Sequence, residues 1–99
     1  MDFETLLSGM KERAANASPM GKTLKFDFGE DQQLFVDGTG EENVVTAEDK
    51  EADCLVKMSI DDFVSVSKGD LNPMTAVMTG KIKIKGDMGV AMKLQSLLG

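Results

Sequence analysis

The chain has 99 residues, of which 41% are hydrophobic and 28% charged, and its formal net charge is −6. These values are typical of one globular domain spanning residues 1–99, and the acidic balance argues against nucleic acid as a partner. The chain lacks histidine, the commonest general base and metal ligand, and its single cysteine cannot form an internal disulfide. We therefore expect no enzyme activity, no metal site and no cofactor.

The first half of the chain predicts one helix and three strands. Apolar side chains recur at helical spacing over residues 2–17, as expected of a helix docked on a sheet. Residues 23–28, 34–36 and 44–47 then alternate between apolar and polar, and glycine-containing turns separate them. Short turns between successive strands favour an antiparallel meander.

The middle of the chain predicts a fourth strand and two short helices. Alternation over residues 52–59 directs Cys54 inward, which favours a buried structural thiol over a reactive one. Ser59 is a suitable N-cap for a helix over residues 60–68, and Asn72 is a suitable N-cap for one over residues 73–79. Each predicted helix is followed by glycine, a common residue just after a helix end.

Paired carboxylates at Asp61 and Asp62 are the nearest approach to an acid–base motif. Both fall in the first turn of a predicted helix, where the helix dipole favours negative charge. A structural role therefore explains them more simply than catalysis.

The last quarter of the chain has a different charge and pattern. Residues 80–99 hold four lysines and one aspartate, although the whole chain is acidic. Lysine and isoleucine alternate over residues 81–85, which predicts a strand with one wet and one buried face. Gly86 is expected to end the strand, and Asp87 to cap a helix over residues 88–98. The apolar arc of that helix is roughly 220° wide, so it has to be covered on two sides.

The three lysines of the last strand have two interpretations. Lys81, Lys83 and Lys85 can protect a sheet edge from pairing with another chain. They can also attract an anionic membrane surface to the mouth of a pocket. Three charges attract weakly at physiological salt, so edge protection is favoured.

The second half of the chain has more apolar surface than one small sheet can cover. It forms either a core filled by flexible methionines or an apolar pocket between helices and sheet. Gln95, the one polar group within the apolar arc, either anchors a ligand head group or bonds to nearby backbone. The candidate ligand-binding residues are Phe63, Val66, Met74, Val77, Met78, Ile84, Met88, Met92 and Gln95.

Several segments resemble the sterol carrier protein type 2 family. They are residues 52–54, Met58 with residues 62–63, residues 69–73 (GDLNP) and above all residues 80–95 (GKIKIKGDMGVAMKLQ). The resemblance implies an α+β fold in which four to five helices cover one face of a five-stranded, mainly antiparallel sheet, with an apolar tunnel between them. It also implies a non-catalytic protein that binds fatty acids, fatty acyl-CoA, sterols or phospholipids and moves or presents them.

The resemblance assigns the tunnel lining to Phe63, residues 74–78 and residues 88–95, with the family's glutamine at Gln95. Many members have two bulky aromatics where this chain has Val77 and Met78, which leaves the preferred ligand shape open. Animal members end in an extended tail with a peroxisomal tripeptide. This sequence lacks that tail, and we expect a cytoplasmic protein.

A second hypothesis is an interaction module, whose apolar end face docks on a partner or a second copy without lipid. The partners expected under the first hypothesis are a lipid or acyl-chain ligand and, transiently, a membrane surface or a lipid-metabolising enzyme. The sequence does not predict the oligomeric state.

Overall fold

Four helices and five strands are formed by residues 2–98, the part of the chain that the computed structural model describes, with side chains described for residues 2–93. The elements are α1 (Phe3–Asn16), β1 (Thr23–Asp27), β2 (Gln33–Asp37), β3 (Val44–Thr46), β4 (Cys54–Lys57), α2 (Ile60–Ser67), α3 (Pro73–Met78), β5 (Lys83–Gly86) and α4 (Met88–Leu98). The type and order of the predicted elements are confirmed, and their ends differ from the predicted ones by one or two residues. Within this described part, no helix combines the length and the apolar character needed to cross a bilayer.

The strands form one sheet in the order β3-β2-β1-β4-β5. Three strand pairs are antiparallel, which confirms both the β1–β3 meander and the mainly antiparallel sheet. β1 and β4 are parallel at the centre of the sheet, with Leu24 opposite Cys54. The last strand, β5, is therefore an edge strand, as its lysines indicate.

The core lies between α1 and the inner face of the sheet. Alternate strand residues point to this face, because side chains in a strand project to opposite sides in turn. The side chains with the least exposure there are Leu24, Phe26, Leu34, Val36, Cys54 and Val56 from the sheet, and Leu6, Met10 and Ala14 from α1. Cys54 is buried as predicted, and its burial raises the pKa of the thiol. The thiol is therefore held in its protonated, unreactive form.

A buried asparagine ties the first loop to the core. Asn43 accepts a hydrogen bond from the Met20 amide at 3.1 Å and donates to the carbonyl oxygens of Ala14 at 3.2 Å and Ser18 at 3.0 Å. It therefore satisfies backbone groups that would otherwise be buried without partners. The sequence pattern gives no sign of this role.

The link between β3 and β4, residues 47–53, crosses the outer face of the sheet. It has to cross β2 and β1, because these two strands lie between β3 and β4. Asp49 forms an ion pair with Lys25 of β1 at 2.8 Å, and the Lys50 ammonium lies 5.7 Å from the centre of the Phe35 ring of β2. This link covers Phe35, which explains why Phe35 is buried although it points away from the core.

The start of β5 differs from the prediction. The amides of Lys81 and Ile82 donate to the Ala76 carbonyl of α3, so the strand starts only at Lys83. Gly86 ends the strand as predicted, but it is still part of it and pairs with Cys54 at a φ of 106°. A Cβ atom on Gly86 would lie 2.3 Å from the Asp53 carbonyl oxygen. Glycine is therefore needed at this position for close approach and for its positive φ.

Candidate functional site

An apolar cleft of about 220 Å³ lies between β5, α3 and α4, at the β5 edge of the sheet. Every side chain that lines it is apolar. The lining residues are Val66, Pro73, Met74, Val77, Met78, Ile82, Ile84, Met88, Ala91 and Met92.

α3 forms one wall of the cleft, and a cap at its start and a buried alanine hold it in position. The Asn72 carboxamide oxygen accepts hydrogen bonds from the amides of Met74 at 2.9 Å and Thr75 at 3.3 Å, which starts the helix. Ala76 is fully buried and holds one face of α3 against the core. Met74 and Met78 lie two positions to either side of Ala76, on other faces of the helix, and border the cleft.

β5 and α4 form the floor and the opposite wall. Ile82, just before β5, is buried, and Ile84 is half-buried on the inner side of β5. On α4, the buried Val90 and Ala91 contact the core, whereas Met88 and Met92 are exposed at the cleft. The surplus of apolar residues predicted for this helix is thus divided between core and cleft.

The cleft is open to solvent. Met78 is 85% exposed and Met92 76% exposed, and Met74 and Met88 are each more than half exposed. Among the side chains described, this apolar space is a surface cleft, and the expected tunnel is not seen there. The cause is geometric, since α3 and α4 bury Ala76, Val90 and Ala91 and leave their methionines at the rim.

The structure brings seven of the nine candidate ligand-binding residues to this cleft. They are Val66, Met74, Val77, Met78, Ile84, Met88 and Met92. Gln95 lies outside the residues whose side chains are described, as do Leu94, Leu97 and Leu98 of the predicted apolar arc. Pro73 and Ile82 were missed as lining residues, whereas Ala91 falls within residues 88–95, the segment that the resemblance assigned to the lining. For Ile82 the signal was present, because it alternates with Ile84 along the predicted strand.

Phe63 lies apart from the other candidates. Its ring is 5.6 Å from those of both Phe26 and Phe28, in edge-on contacts with each. Phe63 is nearly fully buried there, on the α1 side of the core. The expectation that it lines the cleft is therefore corrected: its contacts with Phe26 and Phe28 place it in the packed core.

Charged groups fix α4 to the start of β1. The Asp87 carboxylate accepts a hydrogen bond from the Gly89 amide at 2.8 Å, which confirms it as the cap of α4. It also pairs with the Lys22 ammonium at 2.6 Å. These contacts, the one from Lys22 first, lower the pKa of Asp87, and the same pair raises the pKa of Lys22. Further along α4, Lys93 donates to the Met20 carbonyl oxygen at 2.9 Å. The cleft wall is thereby held against the first loop.

Binding by apolar contact is the chemistry that this site supports. The Asp61–Asp62 pair lies at the start of α2, where the Asp62 amide donates to the Ser59 hydroxyl at 3.0 Å. That contact is a helix cap, as predicted. Neither aspartate lines the cleft.

The chain is similar to known sterol carrier proteins over much of its length. The model of the SCP-2 sterol transfer family matches residues 3–99. Human sterol carrier protein 2 is 47% identical over 58 residues, or 59% of this chain and 11% of the human protein. Hydroxysteroid dehydrogenase-like protein 2 of Xenopus tropicalis is 48% identical over 48 residues, or 48% of this chain and 12% of that protein. The chain thus spans only about a ninth of the curated relatives that it matches.

The fold has a close counterpart among solved structures. The solution structure of palmitated SCP2L2 from Aedes aegypti superposes with a TM-score of 0.74 and 23% identity, covering 99% of this chain and 95% of that one. The likeness extends over the whole sheet and all four helices of residues 2–98, which confirms the α+β architecture.

Proposed function

The chain belongs to the SCP-2 sterol transfer family, and we propose on this premise that its cleft binds the hydrocarbon part of a lipid for transfer or presentation. The family as a whole is one of lipid and sterol carriers. The observation that carries the proposal for this chain is the cleft itself, an open apolar site bordered by four exposed methionines.

The size of the cleft favours a slender ligand. Its volume of about 220 Å³ is below the roughly 300–1,000 Å³ of pockets that enclose a drug-sized molecule. An acyl chain, as in a fatty acid, an acyl-CoA or a phospholipid, needs less width than a rigid sterol. The palmitated state of the Aedes aegypti relative supports the same ligand class. Flexible methionine walls allow chains of different shape to bind.

Energetics favour an occupied cleft over an empty closed one. A dry cavity of 220 Å³ would cost about 5 kcal/mol at the measured penalty per unit of cavity volume. The total stability of a small domain is only about 5–15 kcal/mol. The open, wetted cleft avoids that penalty, and a bound acyl chain stabilises the folded state by mass action.

The domain acts without catalysis in this proposal. The Xenopus tropicalis relative is named as a dehydrogenase-like protein, and the segment similar to this chain is a small part of it. This arrangement supports presentation of a bound lipid to a lipid-metabolising enzyme.

Titration with a fluorescent fatty acid tests the proposal. We expect Met92→Lys to weaken binding at least tenfold, because an ammonium in the cleft would have to lose water against apolar walls. Val44→Lys is the matched control. Val44 is also an exposed apolar residue, but it lies on β3 at the opposite edge of the sheet. Equal affinity in Met92→Lys and the parent protein would remove the cleft as the binding site.

Native mass spectrometry gives an independent test. The purified protein should carry a co-purified acyl lipid, or accept one from added fatty acid. If neither form is detected, the exposed methionines instead serve the second hypothesis, docking on a protein partner without lipid.

A further inference from the structure

We propose that the exposed methionines around the cleft are a modification site, at which peroxides form methionine sulfoxide and thereby prevent lipid from binding. The methionine rim is defined as Met74, Met78, Met88 and Met92. Preferential oxidation of this rim follows from the fold alone, whereas its effect on lipid rests on the proposed function.

The composition of the chain leaves few other targets for a mild oxidant. The sequence lacks tryptophan, tyrosine and histidine, and it has eight methionines and one cysteine. Peroxides oxidise methionine to its sulfoxide and a cysteine thiolate to sulfenic acid. The sulfur atoms are therefore the part of this protein that a peroxide attacks first.

Burial divides these sulfur atoms into two groups. Met10, Met20 and Met58 are at most 6% exposed, whereas the rim methionines are 57–85% exposed. Cys54 has no exposed area, and burial raises the pKa of its thiol, so little of the reactive thiolate forms. Among the residues whose side chains are described, the accessible sulfur is thus concentrated in the methionine rim.

Helical spacing directs all four rim thioethers to the cleft. Met74 and Met78 are four positions apart on α3, and Met88 and Met92 are four positions apart on α4. Residues at this spacing share one helix face, so each helix presents a pair of methionines, and both pairs line the cleft. Oxidation of the rim therefore changes both helical walls of the binding site.

Each oxidation adds one oxygen atom to a thioether. The sulfur lone pair attacks a peroxide oxygen, the S–O bond forms as the O–O bond breaks, and the sulfur loses two electrons to the peroxide. With hydrogen peroxide, the proton on the transferred oxygen passes to the departing hydroxide, which leaves as water. Methionine sulfoxide reductases reverse the reaction: a dithiol supplies two electrons and becomes a disulfide, and the oxygen leaves as water.

A sulfoxide is compatible with the fold but not with a bound acyl chain. The side chains that line the cleft are apolar and donate no hydrogen bond, so a hydrocarbon ligand would bury the S=O group without a partner. In the ligand-free protein the same group remains in water, because the rim is exposed. We therefore expect oxidation to lower the affinity for lipid without unfolding the domain.

A bound acyl chain should in turn protect the rim. Thioethers covered by hydrocarbon are shielded from a peroxide in water, so the loaded carrier resists oxidation and the empty carrier does not. The modification thus stops the loading of empty protein under oxidising conditions and spares cargo that is already bound.

Peptide mapping by mass spectrometry tests where oxidation occurs. The folded protein is treated with a limiting amount of hydrogen peroxide, and fragment spectra then locate each added oxygen. We expect the rim methionines to react at least about tenfold faster than Met10, Met20 and Met58, and the difference to disappear in concentrated urea. Equal rates in the folded protein would overturn the proposal.

Titration with a fluorescent fatty acid tests the consequence for binding. The oxidised protein should bind at least about tenfold more weakly than the parent protein. Treatment with methionine sulfoxide reductases for both sulfoxide epimers, together with a dithiol, should restore the affinity. Unfolding of the oxidised protein, measured by circular dichroism, would overturn the proposal, because the loss of binding would then be global.

A quadruple variant is the matched control. Met74→Leu/Met78→Leu/Met88→Leu/Met92→Leu keeps an apolar rim of nearly the same volume but removes its sulfur. It should bind the fatty acid with equal affinity before and after peroxide treatment. A loss of affinity in this variant on oxidation would assign the effect to another residue and overturn the role of the rim.

The behaviour of the unoxidised protein separates this inference from its premise. If that protein fails to bind fatty acid, the proposed function is overturned, and the peptide map still decides whether the rim is the site of oxidation. If it binds and oxidation of the rim leaves the affinity unchanged, this inference is overturned and the proposed function stands.

Discussion

The two sides of the central β1–β4 pair differ in how completely they are packed. On the side of α1 and β1–β3, side chains such as Phe26 and Leu34 have no exposed area. On the side of α3, β5 and α4, methionine side chains, which are also apolar, are exposed to solvent around a cleft. The first region supplies stability, and the second keeps apolar surface available at the expense of stability. The predictions below test this division, beginning with the largest expected effect.

Truncation of a methionine in each region tests the comparison most directly. Met10→Ala should reduce the free energy of unfolding by about 2–5 kcal/mol, because Met10 is 1% exposed on α1 and leaves a cavity. Met78→Ala should change it by less than about 0.5 kcal/mol, because Met78 already faces solvent. Urea titration measures both. Similar losses would mean that the cleft rim is packed in solution and that the division is wrong.

Removal of the Asn43 side chain is expected to have the next largest effect. Asn43→Ala should cost about 2–3 kcal/mol, because the Met20 amide and the Ala14 carbonyl lose their buried partner. Asn43→Asp should cost still more, because it keeps the acceptor for Met20 but places a buried carboxylate against the carbonyl oxygens of Ala14 and Ser18. A cost in Asn43→Ala below about 0.5 kcal/mol would show that the hydrogen bonds are not a source of stability.

The ion pair between the two regions gives a pH-dependent effect. Asp87→Asn preserves a capping side chain but loses the charge that pairs with Lys22. Because the pKa of Asp87 is lowered in the folded state, its carboxylate stabilises the fold above the ordinary pKa of 3.8. That contribution is lost as pH falls through the folded-state pKa. Urea midpoints of the parent protein and Asp87→Asn should therefore differ at pH 7 and converge in acid. A constant difference at all pH values would assign the effect to the cap.

Relief of repulsion between Lys83 and Lys57, which lie opposite each other on β5 and β4, is the smallest effect. Lys83→Gln should raise the free energy of unfolding by about 0.3 kcal/mol at low salt, because Lys57 lies directly opposite. Lys85→Gln is the matched control, since Lys85 lies opposite Leu55 and loses no such repulsion. Thermal melts with and without added salt should show a gain for Lys83→Gln that disappears on screening. A gain shared by both variants would contradict a pairwise cause.

Local periodicity and capping predicted the fold well. Alternation in the strands, Ser59, Asn72 and Asp87 as caps, and inward Cys54 were all available from near neighbours in sequence. These features depend on a few adjacent residues, so they can be predicted from a single sequence. The family resemblance added the five-stranded sheet.

The remaining features depend on contacts between distant parts of the chain. Phe63 and Val66 share one face of α2, and only the position of that helix on the sheet decides that Phe63 meets Phe26 whereas Val66 meets the cleft. Asn43 reaches backbone groups more than 20 positions away. The openness of the cleft depends on which side chains of α3 and α4 pack into the core and which stay exposed at the rim. The spacing of apolar residues along the sequence contains no information about these distances.

The parallel pairing of β1 with β4 has a consequence for how the domain assembles. β1 and β2 can join through a short turn, but β4 can dock on β1 only after the chain has passed over the sheet. Loop closure over that separation is slower than hairpin formation. We expect amide hydrogen exchange to show the meander as the most protected unit, with β5 and the helices beside it opening first. The elements that border the cleft would then be both the last to assemble and the first to open.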